Sequence, residues 1–111
     1  MVVGTGLLDF RIFGCGSLKE KRSVLSRIIR RTQNEFNISI AEVGDNDQWQ
    51  KAKVGFCVVG NDKSYINAKI DHVLNFVDQF GAVEVIRSKI EITAFSDMLE
   101  DIGDIEEEKY I

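Results

Sequence analysis

The hydrophobic period changes four times between residues 2 and 95, and that succession limits the folds open to this chain. Residues 2–13 alternate, with Leu8, Phe10 and Ile12 on one side and Asp9 and Arg11 on the other, as in a half-buried strand. Gly14 and Gly16 then end the strand, and Ser17 with Glu20 forms a capping box that starts a helix at Ser17. Leu18, Leu25, Ile28, Ile29, Thr32 and Phe36 make a stripe at helical spacing. Asn37 closes the helix, Ile38 to Val43 reads as a strand, and Gly44-Asp45-Asn46-Asp47 is turn chemistry. A third strand runs from Ala52 to Val59, with Val54, Phe56 and Val58 inward. Asn61 or Asp62 caps a second helix whose stripe is Ile66, Ile70, Val73, Leu74, Val77 and Phe80, with Gly81 as its stop. Val83 to Phe95 gives a fourth strand, with Ile86, Ile90 and Ile92 inward and Arg87, Lys89 and Glu91 outward.

Strand-helix-strand-strand-helix-strand is the α+β, ferredoxin-like βαββαβ order: a four-stranded antiparallel sheet with two helices on one face. The other face is left to solvent or a partner. The expected organisation is one such domain over residues 1–95 and an acidic C-terminal tail over 96–111. At 44% hydrophobic and 29% charged residues, the 111-residue chain has the composition of a soluble globular domain. No apolar run is long enough to cross a membrane and no leader is visible, so a cytoplasmic location is expected. Two distant cysteines, Cys15 and Cys57, and one histidine, His72, give neither a zinc pattern nor a disulfide framework. No metal or other cofactor is expected.

The net charge of −4 hides an uneven distribution. Residues 97–111 carry seven acids against one base, whereas residues 1–96 carry 13 bases and 11 acids. Six of those bases lie between Lys19 and Arg31. On the first helix Lys19, Arg27, Arg30 and Arg31 project away from the apolar stripe. Lys21 breaks the division: helical geometry puts it on the apolar side, from which it is expected to reach out past the sheet edge.

Several ordered blocks resemble the YlxP-like proteins, small bacterial proteins built on a domain of unknown function. They are Ser17-Leu18-Lys19-Glu20-Lys21-Arg22, Phe36-Asn37 with Ala41-Glu42-Val43, Trp49-Gln50, and Val58-Val59-Gly60-Asn61-Asp62. The resemblance spans about residues 1–95 and implies a ferredoxin-like fold. It also implies gene neighbourhoods for transcription termination, translation initiation and small-subunit ribosome assembly. It brings no catalytic residues, and residues 96–111 are longer and more acidic than the family pattern.

The candidate site is therefore an anion-binding edge made by Gly14, Gly16 and Ser17 at the turn and by Lys19, Lys21, Arg22, Arg27, Arg30 and Arg31 along the helix. Free N–H groups and the positive dipole end at a helix start favour an anion, and a row of cations favours a phosphate backbone. The expectation is a non-enzymatic RNA- or ribosome-associated factor whose partner is ribosomal RNA or the small ribosomal subunit. The alternative is a small homodimeric regulatory or structural module that binds an anion at the turn. An RNA-recognition surface of stacked aromatics on the open sheet face is not expected, because Phe56 points inward and Asp9 and Arg11 point outward. Trp49 is read as plugging the core edge. Acylphosphatases share this fold and bind phosphate in the turn after the first strand; the chain has that turn but lacks the rest of their pattern, Asn61 at the end of the third strand being one position that could mimic it. The acidic tail could fold over the basic stripe and compete with nucleic acid.

Overall fold

The computed structural model describes residues 1–95. Its elements are β1 (Val2–Ile12), α1 (Leu18–Glu35), β2 (Ser39–Gly44), β3 (Lys51–Gly60), α2 (Lys63–Asp78) and β4 (Val83–Ala94). The strands form one antiparallel sheet in the order β2-β3-β1-β4. This is the ferredoxin-like arrangement, with both helices packed on one face. The two longest strand pairings run from Val2↔Gly60 to Arg11↔Lys51 and from Val2↔Ala94 to Ile12↔Val83.

The core lies between the sheet and the helices. Leu8, Phe10 and Ile12 of β1 and Val54, Phe56 and Val58 of β3 meet Leu25 and Ile28 of α1 and Ile66, Ile70, Val73 and Val77 of α2. Each such side chain contributes about 1.5–3 kcal/mol when fully buried. The hydroxyl of buried Thr32 donates to the Ile28 carbonyl at 2.7 Å, so its polar atom is satisfied. Phe36, Phe76 and Phe80 pack edge to face, with centroids 5.5 and 5.4 Å apart, and hold the end of α1 against α2.

Three local expectations change. Ile86 is 48% exposed rather than inward. A bulge between Asp9 and Phe10 makes Arg87 and then Val85 the successive partners, so Ile86 is the extra residue and the alternation slips by one. Gly81 does not end α2 through a left-handed cap: the helix stops at Asp78 with Gln79 at φ −78. Among the described glycines only Gly14 has positive φ. Trp49 is 50% exposed, in a hollow shared with Asp47, Gln48 and Gln50, and does not plug the core.

Candidate nucleic-acid interface

The turn after β1 is built as its residues dictate. Gly14 adopts φ 66, a conformation that resists a side chain. The Ser17 hydroxyl accepts from the Glu20 N–H at 3.1 Å, and the Gly16 N–H donates to the Glu20 carboxylate at 2.8 Å. The Ser17 half of the capping box is formed, and Glu20 reaches back to the residue before the N-cap, which sets the chain's own carboxylate at the place where a bound anion would take the Gly16 N–H. Cys15 beside it is 6% exposed, its thiol directed at the Ser17 carbonyl.

Lys21 does not reach solvent. It is 1% exposed, with its ammonium 3.1 Å from Glu42 Oε2 and donating to the Asp45 carbonyl. The contact with Glu42 is an ion pair by proximity rather than an aligned hydrogen bond. Asp45 lies in the left-handed region at φ 57, and its carbonyl also accepts from the Gln48 N–H at 3.1 Å. Lys21 thus ties α1 to the β2–β3 loop. A lysine so enclosed, 1% exposed, is out of reach of a phosphate, which removes it from the contact surface.

The remaining cations divide cleanly. Lys19, Arg22, Arg27 and Arg30 are exposed on the outer band of α1, separated by Ser23 and Ser26. The Arg30 guanidinium donates to Ser26 Oγ at 3.5 Å. Arg31, also exposed, lies at the border of the band, its guanidinium 5.9 Å from the Phe80 ring centroid. Among the described residues none of these five pairs with a carboxylate. On the open sheet face three cations are matched by acids, while Arg11 and Lys51 are not. Asp9 takes Lys53 at 3.6 Å and Arg87 at 3.1 Å, and Lys89 sits 3.5 Å from Glu91.

Asn61 and the turn do not meet. Gly60 pairs with the first residue of β1, whereas the turn follows its last, so about ten rungs at ~3.3 Å separate them. The acidic segment 96–111, and its fold-back over α1, lie outside the described residues. No described helix is long and apolar enough to cross a membrane, and among the described residues no three His, Cys, Asp or Glu side chains gather as metal ligands.

The sheet order and the paired helices define a ferredoxin-like α+β domain, a class that hosts many unrelated functions. Within it, residues 3–90 match the model of the family described as "Protein of unknown function (DUF503)", and the chain belongs to that family. It is 40% identical over 83 residues to "Uncharacterized protein YlxP" of Bacillus subtilis (strain 168), covering 75% of this chain and 90% of that protein. Among solved structures, the de novo designed protein Foldit4 superposes with a TM-score of 0.50 at 13% identity, over 86% of this chain and 100% of that one. SnoaB, a cofactor-independent oxygenase from Streptomyces nogalater, gives 0.47 at 15% identity, over 89% and 98%. At such identities the likeness to these structures is one of fold.

Proposed function

We propose that this protein is a non-enzymatic RNA-associated factor of the ribosome, holding phosphates along the outer face of α1. The observation that carries the reading is the contrast between the two surfaces. Lys53, Arg87 and Lys89 on the sheet have neighbouring acids, whereas Lys19, Arg22, Arg27 and Arg30 stand together on one helix with no ion-pair partner among the described residues. Lys19 to Arg30 spans about 16 Å at ~1.5 Å per residue, enough for several phosphates. The helix is capped at its start and docked by aromatic rings at its end, so the cations ride on a rigid support. Contacts of this kind supply affinity with little sequence specificity, which suits a structured ribosomal RNA surface. The gene neighbourhoods implied by the YlxP-like resemblance point the same way by association.

The test is binding to ribosomal RNA and to isolated small subunits by an Arg22→Glu, Arg27→Glu, Arg30→Glu variant. All three residues are exposed, so the variant keeps the wild-type fold by circular dichroism. Its affinity is expected to fall by about a hundredfold or more at low salt, because three attractive contacts become repulsive. Lys21 is left intact, since its replacement would disturb folding. An affinity equal to the wild type contradicts the proposal.

A further inference from the structure

Four exposed apolar side chains lie on the face turned away from the helices, Leu7 and Val59 by strand parity and Val43 and Ile86 at the two bulges. Leu7 of β1, Val43 of β2, Val59 of β3 and Ile86 of β4 are 37%, 54%, 58% and 48% exposed. Between Leu7 and Val43 runs a trough of about 480 Å³ floored by the small residues Thr5, Ala41, Gly55 and Cys57. A Cβ added at Gly55 would come within 3.3 Å of Val43 Cγ1, so the glycine keeps the trough open where Val43 leans over it. Apolar surface concentrated in this way marks an interaction site.

We infer that a second copy of the chain covers this face, the two sheets stacking about a two-fold axis. Three observations select that occupant. Knobs (Leu7, Val43) and a hollow of small residues lie side by side on one surface, which is what a self-complementary contact requires. The charges around the trough are paired among themselves, through Asp9 with Lys53 and Arg87 and through Lys89 with Glu91, while Arg11 and Lys51, without an ion-pair partner among the described residues, lie about four rungs away at the end of β1 and β3. An identical face can therefore meet the trough without a wall of like charge, whereas a polyanion would find the cations beside the trough already committed to acids. The size also fits. Three strands of ten to twelve residues and the six-residue β2 give roughly 35 by 14 Å plus 20 by 5 Å, on the order of 600 Å² before side-chain relief. That approaches the ~800 Å² per partner of a stable interface. The contact is independent of the reading of α1, because it leaves both basic bands on the outer surfaces.

The experiment is sedimentation equilibrium of the full chain at micromolar concentration, with maleimide labelling of Cys57 as a second readout. Cys57 lines the trough while Cys15 is buried, so labelling reports the face. The wild type is expected to sediment at twice the chain mass with Cys57 protected. A Leu7→Glu, Val59→Glu variant is expected at the mass of one chain, with Cys57 labelled and the circular dichroism unchanged. A wild type that sediments as one chain overturns the inference, whether Cys57 is open or is protected by the chain's own residues 96–111. A dimer that survives the double substitution overturns it as well.

Discussion

Replacing Lys21 by alanine is expected to lower the unfolding free energy by about 3 kcal/mol, a large share of the ~5–15 kcal/mol that holds a domain of this size. Three losses combine. Glu42, 24% exposed, is left without its counter-charge. The Asp45 carbonyl loses the donor that ties the β2–β3 loop to α1. The lysine stem, 1% exposed, leaves a cavity behind. The cost sits near the lower end for breaking a buried pair, because Glu42 retains some contact with water. Lys21→Met separates the charge from the packing, since its side chain fills most of the same space. It is expected to lose about 2 kcal/mol, and Lys21→Met with Glu42→Leu to recover most of that, because no buried charge is then left alone. Urea unfolding of the three variants checks the set. A Lys21→Met protein as stable as the wild type would show that the ammonium contributes nothing.

Gly6→Val is expected to cost about 3 kcal/mol, for an unrelated reason. Gly6 faces the core on β1, and a Cβ there would lie 2.2 and 2.4 Å from Cε1 and Cζ of Phe56. Phe56 is 4% exposed and has little freedom to withdraw. The ring fills the space that a side chain at Gly6 would occupy. Gly4 serves the same strand against α2, where a Cβ would meet Ile66 at 2.6 Å and Ile70 at 2.8 Å. Adding Phe56→Leu to Gly6→Val is expected to restore part of the loss, as measured by thermal and urea unfolding. If the double variant is less stable than Gly6→Val alone, the ring is not what excludes the side chain.

The alternation of period carried the fold, because each switch between two and 3.6 residues marks an element and the turn residues punctuate them. What lay beyond it was tertiary. Lys21 was conspicuous as a lysine on an apolar stripe. Its destination depended on the β2–β3 loop folding back to offer Glu42 and the Asp45 carbonyl, a pairing across 24 residues for the latter. Ile86 followed strict alternation until one bulge shifted the phase. Gly4 and Gly6 look like ordinary breaks in a strand, and only the approach of α2 and Phe56 shows why side chains are absent. The apolar open face did leave a signal. Leu7 beside Leu8 and Val59 beside Val58 put apolar residues at both parities, which a sheet with one solvated face does not need. The basic band on α1 was legible as a pattern, but its contrast with the acid-paired cations of the sheet required the register of β1 with β3 and β4.

The measurement that bears most directly on the central claim is the salt dependence of wild-type binding to ribosomal RNA and to the small subunit. If Lys19, Arg22, Arg27 and Arg30 each meet a phosphate, the logarithm of the association constant should fall with the logarithm of salt concentration with a slope of about −3 to −4. The charge-reversed variant should show little binding at any salt. Absence of wild-type binding at low salt, or binding that salt does not weaken, would contradict the assignment of α1 as an RNA-contacting surface.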